Sequence, residues 1–176
     1  MLRLVVRLEF LLKRLTGLAG WIGVIAMGLM VLLVFTNVVL RYGFGVGAVW
    51  AQELQWYLLS VMAMVGIAYA MRYDDHVRVD IFSQRYGRTG RLWLNLLTAT
   101  VVALPCAVLI IHFGYPFAEG SFLRGERSPN SNGLPWRFIP KGLVVVGFAF
   151  VATQAVAEAL ASGRRLTFHY MHMLRS

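Results

Sequence analysis

Few side chains in this chain could do chemistry, and their spacing limits what that chemistry could be. The acids nearest to apolar stretches are Glu53, Glu119 and Glu158; the histidines are His76, His112, His169 and His172; the one cysteine is Cys106. A carboxylate near the middle of a membrane span would carry a coupled ion or proton. Two histidines on facing helices would hold a haem, and three or four soft or imidazole ligands a zinc ion. No such set is complete. Glu53, Glu119 and Glu158 fall at or beyond the ends of apolar runs, and His112 has no second axial ligand in a facing run. His169 and His172, spaced by three, lack a third ligand, and a single cysteine forms neither an intrachain disulfide nor a metal-binding pair. The scattered Ser, His and Asp residues make no nucleophile motif. The expectation is a protein without catalytic, cofactor or metal site.

The elements that must position these groups are membrane helices. Hydrophobic residues make up 59% of the chain and charged ones 14%, against about 25% charged in a soluble domain. From Leu54 to Met71 the only ionisable groups are Tyr57 and Tyr69. At 1.5 Å per residue that stretch crosses a hydrocarbon core of about 30 Å. The same logic gives spans at about 17–40, 50–71, 92–115 and 139–161, with loops 72–91 and 116–138, in one integral membrane domain over 1–176. The fold class is therefore all-α, with four transmembrane helices. The run from Leu15 to Leu40 far exceeds a signal core of roughly 7 to 15 residues, so it is expected to remain as the first span. Ahead of it, Arg3, Arg7 and Arg14 share one helical face, which suits an amphipathic helix lying in the membrane interface or a basic tail that sets topology.

Within the spans, small residues mark where helices approach closely: Gly17, Ala19, Gly20, Gly23, Ala26 and Gly28 in the first, and Ala63, Gly66 and Ala70 in the second. Asn37 and Gln154 are polar groups that should seek interhelical partners. Pro105 removes a backbone donor inside the third span and can bend it. Glu53 is placed to pair with Arg41 across the short 41–49 loop, to pair with another protein, or to stand as a solvated helix-end charge. His76, in the Asp74-Asp75-His76 segment, caps the second span or meets a partner.

Positive charges set the orientation. With a cytoplasmic amino terminus that side carries Arg3, Arg7, Lys13 and Arg14, then Arg72, Arg78, Arg85, Arg88 and Arg91, then Arg164, Arg165 and Arg175. The opposite side carries Arg41, Arg124, Arg127, Arg137 and Lys141, so both termini are expected in the cytoplasm. Trp21 and Trp93 then mark the inner interface, and Trp50 and Trp136 the outer. The net charge of +9 flanks apolar runs instead of forming a stripe, which points to anionic lipid headgroups and not to nucleic acid.

These residues carry a resemblance. Val39-Leu40-Arg41-Tyr42 leaving the first span, Trp50 and Glu53 entering the second, Gly66 and Ala70 within it, and Arg72, His76, Val79 and Asp80 after it resemble the small four-helix subunit of tripartite ATP-independent periplasmic (TRAP) transporters. Ser131 through Pro135-Trp136 and on to Pro140 and Gly142 extends the likeness through the second half. Where that family often has two acids after the tryptophan, Gln52 stands here and leaves Glu53 alone.

The resemblance implies a non-catalytic subunit. It would pack on a large membrane subunit that moves an organic anion, commonly a carboxylate, by a sodium-driven elevator motion in the bacterial inner membrane. A periplasmic substrate-binding protein would deliver that anion. The Gly125 to Arg137 loop would then either help seat the binding protein, with Arg124, Arg127 and Arg137 available for acidic partners, or form a lid that packs on the large subunit. The alternative class is a haem-carrying or assembly membrane anchor of a respiratory-type complex.

Overall fold

The computed structural model describes residues 2–73 and 87–173; His76 and Asp80 lie outside them. Helix α1 spans Leu2–Phe44 and α2 spans Val49–Arg72. Helix α3, Arg88–Leu97, passes through a π-helical turn at Thr98–Ala103 into α4, Leu104–Leu123, and α5 covers Phe138–Met173. No strand occurs among the described residues. Among the described residues, four stretches are long and apolar enough to cross a membrane: Val5–Phe44, Val49–Arg72, Thr89–Leu123 and Phe138–His169.

Three differences from the sequence reading have physical reasons. The segment ahead of the first span continues α1 without a break. Nothing in 2–16 interrupts it, because no Pro or Gly stands there. The third span also reaches Leu123, well past the expected start of the loop, with Pro116 inside it. A proline removes one i to i−4 bond and leaves one carbonyl free, a loss that a membrane helix tolerates when neighbours supply another donor. Pro105 sits one residue after the start of α4, directly behind the π turn. The wider turn lets the chain absorb the proline without ending the helix.

Helix α5 is the centre of the assembly. It packs against α1, α2 and the α3–α4 rod, α1 pairs with α2, and the α3–α4 rod packs chiefly on α5. The core is correspondingly small-chained. Ala68 of α2, Ala107 of α4 and Val151 of α5 form one buried cluster, flanked by Ile67, Met71, Phe148, Phe150 and Ala152. Lipid supplies no hydrophobic drive for helix pairing, so short side chains that bring backbones together are what hold such an interface.

The α1–α2 crossing shows this most directly. Gly20 lies against the Tyr69 ring and Gly17 against the Arg72 guanidinium, so closely that a Cβ at either glycine would collide with them. Gly66, by contrast, faces open space on the far side of α2, where Val65 and Ala68 take the buried positions. Gly20→Ala is therefore expected to cost about 1–3 kcal/mol through overpacking. Gly28→Ala, where nothing lies within 4 Å, is the matched control. Thermal unfolding of both variants in detergent checks the pair: equal melting temperatures would mean that the Gly20–Tyr69 contact does not hold the hairpin.

Candidate functional site

The polar side chains gather at the two ends of the bundle. At one end the 124–137 connection folds into a closed loop, beginning with the way α4 stops. Gly125 takes φ 56, a left-handed conformation that glycine adopts without steric cost. The Gly125 N–H donates to the Phe122 carbonyl at 3.0 Å and the Glu126 N–H to the Ser121 carbonyl at 3.1 Å. This is the Schellman pattern, and it satisfies two carbonyls at the helix end. Asn132, at φ 62, turns the loop tip, and the Gly133 N–H donates to the Asn130 carbonyl at 3.1 Å.

Glu53 of α2 holds that tip. Its Oε1 accepts from the Ser128 hydroxyl and from Asn130 Nδ2 at 3.0 Å, while Oε2 accepts from the Leu134 N–H at 2.6 Å. Glycine at 133 is required by space: a Cβ there would strike Ser128 and the Glu53 carboxylate. The carboxylate thus accepts from a hydroxyl, a side-chain amide and a backbone N–H of one loop. Pairing with Arg41, one of three readings left open for Glu53, is not what the structure shows. Arg41 is exposed at the end of α1, and its place is taken by neutral donors from a loop about 80 residues further on.

A second acid seats the base of the same loop. Glu126 accepts from Lys141 Nζ at 2.5 Å and from the Ser121 hydroxyl at 2.6 Å, and Lys141 also lies 4.3 Å from the centre of the Phe117 ring. The Lys141 ammonium, then the Ser121 hydroxyl, hold the Glu126 carboxyl below the ordinary carboxylate range. A folded-state pKa below the unfolded one contributes stability above the ordinary value of 4.5, and that stability is lost as pH falls through the folded value. Protection of the Arg137 amide, which donates to the Glu126 carbonyl at 3.2 Å, is therefore expected to stay level from neutral pH down to 4.5 and to fall below it. Hydrogen exchange corrected for intrinsic rates measures this. A Glu126→Gln variant that keeps the same acid dependence would show that another group is responsible.

Trp136 closes the loop in a strained state. Its φ of 85 is unusual for a bulky residue and costs about 1–3 kcal/mol. Its carbonyl accepts from the Ile139 N–H at 3.0 Å while its side chain stays 59% exposed. Beside it, Phe122 and Phe138 meet edge to face at 5.1 Å. A shallow pocket here is lined by Phe122, Glu126, Arg127, Pro135 and Trp136. Arg124, Arg127 and Arg137 are all exposed around this aromatic surface, and Trp50 is exposed at the start of α2.

At the opposite end, Glu9 is 7% exposed and binds two cations. It accepts from Lys13 Nζ at 2.9 Å one turn along α1, and from Arg164 Nη2 and Nε at 3.0 and 3.2 Å across 155 residues. Arg72 donates to the Lys13 carbonyl, which fastens the end of α2 to the same place. His169 hydrogen-bonds the Thr89 hydroxyl at 2.8 Å and so ties α5 to the start of α3. Glu9, Lys13 and Arg164 had not stood out among the candidates. The Glu9–Lys13 spacing of four was a readable signal; the partner on α5 was not.

Between these ends the structure brings little together. Gln154 is completely buried on α5, yet neither amide atom has a hydrogen-bond partner among the described residues. Asn37 is half-exposed on α1. Among the described residues no three His, Cys, Asp or Glu side chains are grouped to hold a metal. The polar groups that are bonded at the two ends hold segments of the chain to one another.

Comparison with known proteins agrees with this architecture. The family model of the DctQ component of tripartite ATP-independent periplasmic transporters matches residues 30–165. A Haemophilus influenzae protein named as a TRAP transporter small permease is 30% identical over 141 residues, covering 80% of this chain and 81% of that protein. The C4-dicarboxylate TRAP transporter small permease protein of Vibrio cholerae is 30% identical over 71% of this chain and 62% of its own length. The sialic acid TRAP transporter permease protein of another H. influenzae strain is 25% identical over 82% of this chain, which corresponds to 24% of that longer protein. With four helices able to cross a membrane and a family match over most of its length, the chain belongs to the DctQ components of the TRAP transporters, their small permease subunits.

Proposed function

We propose that this subunit braces a large permease subunit in the bacterial inner membrane during sodium-driven uptake of an organic anion, a carboxylate delivered by a periplasmic binding protein. Both termini lie in the cytoplasm and the 124–137 loop faces the periplasm. The carrying observation is that the bundle is fastened at both ends by acids bonded to distant parts of the chain, Glu9 to Arg164 of α5 and Glu53 to Ser128, Asn130 and Leu134 of the loop. Such cross-links suit a part that stays still while its partner moves. The substrate class follows the dicarboxylate and sialic acid named for two relatives, both organic acids.

On this reading the exposed Arg124, Arg127, Arg137 and Trp136 form a cationic and aromatic surface for an acidic patch on the binding protein. The test is reconstitution into liposomes with a sodium gradient. Uptake is expected only when the large subunit and binding protein are both present. Reversing the three arginines to glutamate is expected to weaken binding-protein affinity about tenfold or more. Solute uptake by this chain alone would refute the bracing role; unchanged binding-protein affinity in the arginine variant would remove the docking surface.

A further inference from the structure

The face of α4 turned away from α5 carries polar groups from within the apolar span out to headgroup level. His112, Pro116 and Glu119 are all exposed and lie on one helical stripe, at spacings of four and three. His112 stands about 9 Å from the midpoint of the Thr89–Leu123 span, inside a hydrocarbon half-thickness of about 15 Å. Among the described residues its ring meets Phe113 edge-on at 5.1 Å and makes no hydrogen bond.

The backbone adds a second polar group at the same place. Proline has no N–H, so Pro116 leaves the His112 carbonyl without its i+4 donor. Because Pro116 is itself exposed, that carbonyl opens on the same stripe as the imidazole. A ring and a carbonyl facing acyl chains would each forfeit their hydrogen bonds, whereas a neighbouring helix supplies them. The broad face of α1 differs: its large exposed side chains between Leu18 and Phe35 are apolar, including Ile25, Leu29 and Leu32, and lipid satisfies them.

We propose that the His112–Pro116–Glu119 stripe of α4 is the seat for a transmembrane helix of the large permease subunit. This rests on the reading of the chain as a small subunit. Complementarity defines the occupant: it offers a donor to the His112 carbonyl, a hydrogen-bonding side chain to the imidazole, and a cation at headgroup level for Glu119.

The test uses the complex as purified from membranes. Photoreactive side chains at Leu109 and Tyr115, both exposed beside His112, are expected to form adducts with the large subunit. His112→Leu is expected to reduce co-purified large subunit about tenfold while leaving the melting temperature of the isolated chain unchanged or higher. Lipid adducts alone from both positions, with the complex intact, would overturn this seat and leave the small-subunit reading standing. Full retention of the large subunit by His112→Leu would do the same. Failure of the unaltered chain to co-purify with any large membrane protein would overturn that reading and the seat together.

Discussion

Glu9→Ala is expected to cost about 2 kcal/mol of stability. Breaking a fully buried ion pair by removing one partner costs about 3–5 kcal/mol, since the remaining charge is left without compensation. Here the figure is lower because the Lys13 and Arg164 side chains remain 25% and 26% exposed, where solvent screens them. The pair nonetheless closes α1 on α5 across 155 residues, near the point where Arg72 ties α2 to the Lys13 carbonyl. Its loss therefore loosens three helices at once. Thermal unfolding in detergent should show the drop, and a Glu9→Leu, Arg164→Met double variant should recover most of it by replacing charge with packed hydrocarbon. A Glu9→Ala chain that melts like the parent would mean the clamp contributes nothing.

The second large effect is expected from Glu53→Ala. The carboxylate collects three donors from the 128–134 segment, and alanine leaves all three without their acceptor. The loop would then be held by its Schellman turn, by the Glu126–Lys141 pair and by its own backbone bonds. Trypsin has sites after Arg124, Arg127 and Arg137. Cleavage in this loop should quicken by about tenfold or more, since proteolysis follows the population of the open form. Glu53→Gln keeps one carbonyl acceptor and should fall between alanine and the parent. Protection unchanged in the alanine variant would place the anchor elsewhere, and Glu126 would be the next residue to remove.

The contrast between Glu53 and Arg41 shows where sequence reasoning reached its limit. That Glu53 is the lone acid at the head of the second span was visible in the apolar run that follows it. Its partners were not: Arg41, the nearest opposite charge along the chain, another protein and solvent all remained open. The three-dimensional path instead brings neutral donors from a loop after the third span. Similarly, Asn37 and Gln154 were recognisable as polar groups in apolar surroundings. Only packing separated them, with Gln154 sealed on α5 and Asn37 left half-exposed on α1. The small-residue pattern predicted close helix contact, yet the contact fell at Gly17 and Gly20 while Gly66 stayed open.

What the sequence by itself determined is the membrane-spanning, all-helical character of the chain and the number of its spans. Hydropathy over a length comparable to the bilayer is a local property, and an uninterrupted apolar run of that length satisfies its backbone in lipid as a helix. Which helix stands at the centre, which acid meets which donor, and which face of α4 is left exposed were decided by tertiary structure alone. Such pairings join residues far apart along the chain through rotations of rigid helices about their axes. A difference of one residue in register turns each side chain by about 100°, and no local pattern records it.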